Sequence, residues 1–378
     1  MSTRRLKVGV IGCGLVAQIM HLPYLRELNE LYELTALCDI SRPVVDHFGD
    51  SLGVARRFTR WEDMLDEPLD AMLVLTNGSH APMAVAAAER GIHVLVEKPM
   101  CFSVAEGAEM IAAAEKAGTV LMVAYMKRYD PAYERLVEEL KGLKEIRLVR
   151  VTTLEAPMRP YTGHYALHAA DQVDPGLLAE LRRDDEARIA AALPAADAGA
   201  RRSYREVLLD SLVHELNALR GLLGEPDAID FAELEPQRVT VSLRFGATRC
   251  LLAWVDLPEL GRYLQEFSFY SPERRLTLSL PSPFLRSMPS RLIEEGGEPG
   301  SANAWERTEI VSFDEAFKRE LVEFHSCVTT GRQPRTSGLD GLRDVALCEA
   351  IVAAHMQRSR IEQPTAAALN RESASPRR

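Results

Sequence analysis

A glycine-rich turn near the start of the chain limits the possible folds more than any other feature. In VGVIGCGLVAQIM, Gly12, Gly14 and Ala17 follow an apolar, β-branched strand and open a helix. In this G-x-G-x-x-A spacing the first glycine permits a tight turn and the second leaves room for a pyrophosphate. The small third residue lets helix and strand pack closely. Free N–H groups at the helix start attract the phosphate, so we predict a dinucleotide-binding βα unit.

Strand and helix patterns alternate through the first third of the chain. The apolar segments LKVGVIG, ELTALCD, AMLVLT, IHVLVE and TVLMVAY are separated by helical stretches such as APMAVAAAERG and VAEGAEMIAAAEKAG. Near-continuous apolar strands between helices are typical of a parallel sheet covered on both faces. We therefore predict an α/β fold, with a Rossmann doubly wound domain over residues 1–128.

The pattern changes after about residue 130. EIRLVRVTTLE, RVTVSLRF, TRCLLAWVDL, YLQEFSFY and RRLTLSL alternate apolar and polar residues, which predicts a large, mostly antiparallel open sheet with one wet face. Residues 129–358 thus form a predicted α+β domain for substrate binding and oligomerisation. Within it, the polar, Ala-rich stretch 159–203 is predicted to be an insertion or lid. Residues 359–378 have the composition of a disordered tail.

Composition excludes several classes of function. The net charge of −10 argues against a nucleic-acid partner, and no apolar run approaches the roughly 20 residues of a membrane span. The start of the chain mimics a signal peptide, but glycines interrupt its apolar stretch. Six scattered cysteines without a C-x-x-C pair favour reduced thiols over a disulfide framework or zinc site. We expect a cytoplasmic protein without a metal site.

The second strand ends at Asp39, close to the spacing expected of an acid that hydrogen-bonds the adenosine ribose. An acid here repels a 2′-phosphate, so NAD is the predicted cofactor. Ser41 and Arg42 follow at once and are able to accommodate a phosphate, which leaves NADP as the alternative. The residues predicted to contact the cofactor on this side are Gly12, Cys13, Gly14, Leu15, Val16, Ala17, Asp39 and Ile40.

Ligands of an open parallel sheet bind beyond the carboxyl ends of its strands. Thr76, Asn77 and His80 follow one such strand, and Glu97 and Lys98 follow the next. Each of these residues also suits an ordinary structural role. Asn77 can cap a helix, and His80 can be a plain first-turn residue. The Glu97–Lys98 dipeptide can be a surface ion pair that contributes little.

Topology nevertheless brings the Glu97–Lys98 dipeptide to the same rim as the glycine loop. Pro99 restricts Lys98 to an extended conformation and permits a cis bond. This stiff backbone favours a positioned chemical group over an exposed ion pair.

LLDSLVHELNAL contains Asp210, His214 and Asn217 at spacings that predict one shared helix face. A histidine with an adjacent carboxylate suits a general base, because the acid orients the ring and raises its basicity. The alternative is an amphipathic helix whose polar side faces water.

G-x-G-x-x-A, T-N-x-x-H, E-K-P, YMKRYDPAY and D-x-x-x-H occur here in that order, and together they resemble the glucose–fructose oxidoreductase, inositol dehydrogenase and rhizopine-catabolism family (Gfo/Idh/MocA). The resemblance implies that Lys98, Asp210 and His214 are catalytic. It also implies that Asn77, His80, Glu97 and Arg128 lie near the nicotinamide and its ribose. The stretch 159–202 is longer than in many members.

The resemblance implies an NAD(H)-dependent oxidoreductase acting on a secondary alcohol of a sugar, cyclitol or sugar-derived metabolite. In the expected mechanism His214 takes the hydroxyl proton, hydride passes to the nicotinamide, and Lys98 stabilises the alkoxide. Asp210 holds His214 in place. Donor chemistry and location alone suggest five substrate contacts, for which ordinary surface or lid packing is the alternative: Tyr129, His164, Tyr165, His168 and Tyr204.

The sequence leaves two rival functions open. One is a redox-neutral glycosidase that oxidises and re-reduces its substrate on a tightly held NAD. The other is a non-enzymatic NAD-binding sensor, against which the intact set of Lys98, Asp210 and His214 argues. A sheet with one wet face also predicts a homodimer or homotetramer through the C-terminal domain.

Overall fold

A computed structural model describes residues 4–170 and 172–372, and from Arg360 onwards only the course of the main chain. The fold is built around two β-sheets. The first has six strands in the order β3-β2-β1-β4-β5-β6, and every neighbouring pair is parallel. The strands are β1 (Leu6–Ile11), β2 (Tyr32–Cys38), β3 (Arg56–Phe58), β4 (Ala71–Val74), β5 (His93–Val96) and β6 (Leu121–Val123).

Helices cover both faces of this sheet, which explains its near-continuous apolar strands. Along β1, Val8 and Val10 pack into one buried cluster, while Ile11 belongs to the cluster on the opposite face. Helical segments of this part are a π-helical turn (Ala17–His21), α1 (Leu22–Glu27), α2 (Arg42–Leu52), α3 (Trp61–Met64), α4 (Ala81–Ala88), α5 (Val104–Ala117), a 3₁₀ turn (Met126–Tyr129) and α6 (Pro131–Lys141). The predicted doubly wound α/β fold is confirmed.

The second sheet has eight strands in the order β14-β13-β12-β11-β7-β10-β9-β8. Among the strands described, only β10 and β7 are parallel neighbours in this sheet, so the predicted mostly antiparallel sheet is confirmed. Its strands are β7 (Leu148–Glu155), β8 (Ala228–Glu235), β9 (Arg238–Phe245), β10 (Thr248–Asp256), β11 (Leu264–Tyr270), β12 (Arg274–Leu280), β13 (Arg291–Gly297) and β14 (Ala304–Glu309).

Alternation along β9 buries its apolar side chains on one face of the sheet. In β9, Val239, Val241 and Leu243 are fully buried, whereas the residues between them are not. The strand pattern of the sequence omits β3, β8, β13 and β14. These strands lie at or beside a sheet edge, and β14 is exposed along almost its whole length, so little apolar periodicity marks them.

The remaining helical segments lie between β7 and β8 and at the C-terminus. They are α7 (Arg159–Thr162), α8 (Pro175–Ala192), α9 (Ala198–Ser203), a π-helical segment (Tyr204–Leu212), α10 (Val213–Leu223), α11 (Ala316–Thr330) and α12 (Gly338–Glu372). None of the helices described is both long and apolar enough to cross a membrane.

Helix α12 continues into the stretch 359–378, whose composition predicts a disordered tail. Between 359 and 372 that prediction is wrong for the main chain, because the alanine-rich TAAALN has high helix propensity. The last six residues of the predicted tail, 373–378, lie outside the described residues.

Candidate active site at the carboxyl edge of the parallel sheet

The glycine loop lies where the strand order reverses between β1 and β4. Gly12 has φ +91°, and a Cβ there would lie 2.8 Å from the Leu75 carbonyl carbon, so the turn requires glycine. A Cβ on Gly14 would meet no described atom within 4 Å. The loop therefore leaves open space at the start of the helix, where a phosphate binds in folds of this kind.

Asp39 ties the glycine loop to the end of β2. Its Oδ2 accepts a hydrogen bond from the Cys13 backbone N–H at 2.8 Å, and its Oδ1 accepts one from Ser41 N–H at 2.8 Å. The neighbouring Ile40 is 41% exposed. The guanidinium of Arg42 donates to Asp46 at 2.8 Å, so the cation nearest Asp39 in sequence is already paired.

The loop after β4 presents both exposed and buried polar groups. Asn77 is exposed, while the Thr76 Oγ1 is buried with no hydrogen-bond partner among the described residues. His80 is fully buried, with Nδ1 2.9 Å from the Pro99 carbonyl and Nε2 2.8 Å from the Thr76 carbonyl. Burial lowers the pKa of His80. The ring thus joins the β4 loop to the E-K-P segment.

Glu97 is anchored in the interior. Its Oε1 lies 2.8 Å from His21 Nε2, and its Oε2 accepts from the Lys98 backbone N–H at 3.0 Å. Burial alone raises the pKa of Glu97, but the hydrogen bond from His21 and the charges of His21 and Lys98 hold the pKa below its ordinary value. The Lys98–Pro99 peptide is cis. Glu97 therefore holds the main chain that carries Lys98.

The ammonium of Lys98 reaches the segment that carries Asp210. Its Nζ donates to the Asp210 carbonyl at 2.6 Å and to Asp210 Oδ1 at 2.8 Å. Burial lowers the pKa of Lys98, but the negative charges of Asp210, Glu97 and Glu155 outweigh it and raise the pKa above its ordinary value. A loop of the parallel sheet and a helical connection of the second sheet are thus joined by a charged pair.

His214 lies in the same region but is not paired with Asp210. No hydrogen bond joins them in the described part of the chain, where His214 Nδ1 is buried without a partner. Burial and the charges of Lys127 and Lys98 hold the pKa of His214 well below its ordinary value. The ring is therefore neutral, and it meets the Tyr125 ring edge-on at 6.1 Å.

Asp210 lies in the π-helical segment 204–212, whereas His214 and Asn217 lie in α10. The carboxylate of Asp210 accepts from Lys98, so the predicted contact by which Asp210 orients His214 is not made among the described residues. Asn217 is fully buried and donates to Asp344 and to Asp340 at 2.7 Å.

A second set of buried charges borders His214, and sequence reasoning missed it. Lys127 Nζ lies 3.9 Å from Glu215 Oε1, with side chains 7% and 0% exposed. Glu215 Oε1 also accepts from Thr153 Oγ1 at 2.6 Å and from Gln265 Nε2. Burial lowers the pKa of Lys127. The sequence does contain a signal for these buried charges, namely polar residues such as Thr153 on the buried faces of strands.

Two residues predicted to contact cofactor or substrate are engaged elsewhere. Arg128 donates to the Asn217 main chain and side chain at 3.3 Å and lies 3.6 Å from Asp340. Tyr129 is 2% exposed and its hydroxyl pairs with Thr336 Oγ1 at 2.9 Å.

Tyr204 is fully buried, and its hydroxyl donates to the Phe102 carbonyl at 2.9 Å. Partners remote in sequence therefore occupy the hydroxyls of Tyr129 and Tyr204, whereas the Nε of Arg128 is buried without a described partner. This interior packing argues against the predicted ligand contacts of the two tyrosines.

The remaining predicted substrate contacts lie in the stretch after α7. The Tyr165 hydroxyl donates to the Phe284 carbonyl at 2.9 Å, and His164 packs on the Tyr165 ring. His168 is exposed but stacks on His47 of α2 with ring centroids 3.4 Å apart. His168 thus lies beside the nucleotide-binding half and not beside Lys98.

The residues fit a dinucleotide. Within the described chain, the open space at Gly14, the unpartnered Thr76 hydroxyl and the unpartnered His214 ring nitrogen follow one edge of the sheet. Groups of this kind, buried and polar without protein partners, are what a bound ligand satisfies.

Comparison with known proteins agrees with this geometry. The family profile described as "Oxidoreductase family, NAD-binding Rossmann fold" (GFO_IDH_MocA) matches residues 6–125. The nucleotide-binding half of this chain therefore matches the Gfo/Idh/MocA oxidoreductase family. The match and the relatives described next support an oxidoreductase that acts on CH–OH groups.

Similarity extends beyond the matched domain. D-xylose 1-dehydrogenase (NADP(+)) 2 of Haloferax volcanii is 26% identical over 334 residues, covering 85% of this chain and 89% of that protein. D-apiose dehydrogenase of Paraburkholderia graminis is 24% identical, covering 92% and 87% respectively. Aldose-aldose oxidoreductase of Caulobacter crescentus shares the fold with a TM-score of 0.70 and 23% identity, over 94% of this chain and 98% of that one.

Proposed function

We propose that this protein is an NAD(H)-dependent dehydrogenase that transfers hydride between nicotinamide and a secondary alcohol or ketone of a sugar or cyclitol. The observation that carries the proposal is the Lys98 ammonium, held 2.8 Å from Asp210 Oδ1 at the rim of the nucleotide cleft. The relatives named above, dehydrogenases of D-xylose and D-apiose by their names, support the substrate class.

His214 is the proposed general base. Its side chain is partly buried, its Nδ1 has no partner among the described residues, and its pKa is held well below the ordinary value by burial and by Lys127 and Lys98. A neutral imidazole accepts the hydroxyl proton of the substrate without first losing one of its own. The positive charges of Lys127 and Lys98 then favour release of that proton from the imidazolium.

Lys98 is the proposed stabiliser of the alkoxide. Its pKa is raised despite burial, chiefly by the charge of Asp210, so it is a cation at neutral pH. A fixed cation beside the reacting oxygen stabilises the negative charge that develops there. We assign Asp210 to orienting Lys98. When bound, the nicotinamide accepts the hydride from the same carbon.

We propose NAD as the preferred cofactor over NADP. The Asp39 carboxylate repels a 2′-phosphate, and the ion pair between Arg42 and Asp46 leaves Arg42 less able to bind one. Against this preference, one relative is named as NADP-dependent. Affinities for NADH and NADPH, measured by protein fluorescence, test the choice, and tighter binding of NADPH would overturn it.

An NADH-formation screen over inositols, aldoses and glycosides tests the proposed activity, with His214→Ala as the control protein. We expect NADH with at least one polyol or aldose and about 10²-fold less in the variant. Glycoside cleavage without net NADH would instead support the redox-neutral glycosidase. Nucleotide binding without turnover of any of these compounds would support the sensor.

We propose further that the protein is a cytoplasmic homo-oligomer that associates through the eight-stranded sheet. Exposed apolar side chains on that sheet support this, among them Leu251 of β10 and Phe231 of β8, which are 45% and 37% exposed. Light scattering at micromolar concentration tests it, since a monomeric mass would contradict the proposal.

A further inference from the structure

The predicted insertion is attached to the nucleotide-binding half at two places. The first attachment joins the Gln18 side chain to the His168 main chain. Gln18 Nε2 donates to the His168 carbonyl at 2.9 Å, and Gln18 Oε1 accepts from His168 N–H at 2.9 Å. The same Nε2 donates to the Cys13 carbonyl of the glycine loop at 2.8 Å. The stacking of His168 on His47 extends this attachment to α2.

The second attachment is made by α8 on the loop after β4. Asp185 Oδ1 lies 2.9 Å from where a Cβ of Gly78 would stand, and Arg205 holds that carboxylate at 3.1 Å. About one turn further along α8, Arg188 donates to Glu106 Oε1 at 2.7 Å. Glu106 also accepts from the Ser79 hydroxyl at 3.1 Å. Helix α8 is therefore held at the β4 loop by two contacts, one directly through Asp185 and one through Glu106.

These two attachments lie on opposite sides of one crevice. The glycine loop follows β1, Gly78 follows β4, and β1 and β4 are neighbours at the point where strand order reverses. In doubly wound sheets the dinucleotide lies in the crevice between these two loops. His168 at one of these loops and Asp185 at the other therefore lie on the two sides of that crevice.

We infer that His168 and α8 form an outer wall of the cofactor site, so that a bound nucleotide enters or leaves only when one attachment opens. The inference rests on the proposed nucleotide binding. Its structural evidence comes from His168 and α8, which lie before and after position 171 in the sequence. It gives the insertion a function that does not require contact with the sugar. It also explains why His168, an exposed residue predicted to touch substrate, lies at the nucleotide half.

Stopped-flow measurement of NADH binding, followed by displacement with excess NAD, tests the wall without any sugar. If opening limits entry, the observed association rate of the unmodified protein reaches a plateau as NADH concentration rises. His168→Ala removes the ring stacking of the first attachment, and the double variant Asp185→Ala/Arg188→Ala weakens the second. For each we expect NADH release at least tenfold faster than from the unmodified protein.

Arg182→Ala is the matched control, since Arg182 is an exposed residue of the same helix and should release NADH at the unmodified rate. Thermal melting checks that each variant is folded, and the two attachments give independent tests if one variant fails to fold. A linear association rate together with unchanged release from either folded variant would overturn the wall. NADH retention without polyol oxidation would contradict only the proposed enzyme activity.

Discussion

Lys98 Nζ lies 2.8 Å from Asp210 Oδ1 and 2.6 Å from the Asp210 carbonyl oxygen, although 112 residues separate them. Asp210 is 69% exposed at its side chain, whereas Lys98 is 18% exposed. The ion pair therefore fixes the position of the largely buried Lys98 ammonium and leaves the Asp210 carboxylate exposed to solvent. A pair of this kind serves orientation more than stability, since an exposed ion pair contributes at most about 1 kcal/mol.

Replacing Asp210 by Asn should reduce activity while leaving the fold intact. The amide oxygen still accepts a hydrogen bond, but the negative charge that holds the Lys98 ammonium in place is lost. We expect kcat/KM to fall about 10–100-fold with nearly unchanged melting temperature. Glu206→Gln, in the same π-helical segment, is the control; an unchanged kcat/KM in Asp210→Asn would remove Asp210 from the mechanism.

The charge of Lys127 should set the acidic limb of the pH profile. Besides burial, the charges of Lys127 and Lys98 both lower the pKa of His214, while the carboxylates of Glu215 and Glu155 act on Lys127 itself and raise its pKa against burial. Removing one cation in Lys127→Met therefore raises the His214 pKa, and oxidation fails at a higher pH than in the unmodified protein.

The measurement is kcat/KM for polyol oxidation against pH, with Lys127→Arg as the variant that keeps the charge. The arginine variant should keep the unmodified acidic limb. An acidic limb at the same pH in Lys127→Met and the unmodified protein would show that Lys127 does not act on His214.

Glu97 should make stability depend on pH at the acid end. Burial opposes its ionisation, but the hydrogen bond and charge of His21 outweigh burial and hold the pKa in the folded protein below the ordinary 4.5. A carboxyl whose pKa is lowered on folding contributes stability above its unfolded pKa, and that contribution is lost as pH falls through the folded value.

Urea unfolding of the unmodified protein and Glu97→Gln, at several pH values from about 7 down to 3, measures this contribution. The difference in unfolding free energy should be greatest near neutral pH and should shrink below about 4.5. A difference that stays constant over this range would show that the ionised form of Glu97 is not the one stabilised.

Local patterns were enough to locate one half of the site. The apolar strand β5 and the proline after Lys98 predict a lysine at the sheet rim, because both signals are contained in a few consecutive residues. The partner could not be predicted in the same way. Asp210 reaches Lys98 through a contact between distant segments, and in the sequence only the family resemblance groups them.

The differences between sequence and structure have two physical sources. The π-helical segment 204–212 leaves no mark in the hydrophobic pattern, and Asp210 within it pairs with Lys98 and not with His214. The place of Arg128 after β6 suggests a cofactor contact, but its partners Asn217 and Asp340 come from α10 and α12. Buried polar networks of this kind are invisible to strand and helix periodicity.

Gly12 should be the least replaceable glycine of the nucleotide-binding half. A Cβ there meets the main chain of Leu75 at 2.8 Å, and φ is +91°, so both the contact and the backbone conformation oppose a side chain. Gly53 is a matched control, because its φ of +71° is also positive but a Cβ there would meet no described atom within 4 Å. Gly53→Ala should therefore cost only the conformational penalty of about 1–2 kcal/mol.

Gly12→Ala should cost more than this, because main-chain atoms cannot move aside as a flexible side chain does. Any shift of the Leu75 main chain also displaces Thr76 and closes the cleft, so NADH binding should be lost. Thermal melting and NADH fluorescence titration of both variants make the comparison. If Gly12→Ala bound NADH as tightly as Gly53→Ala, the turn would tolerate a side chain, and the glycine loop would not form the phosphate site.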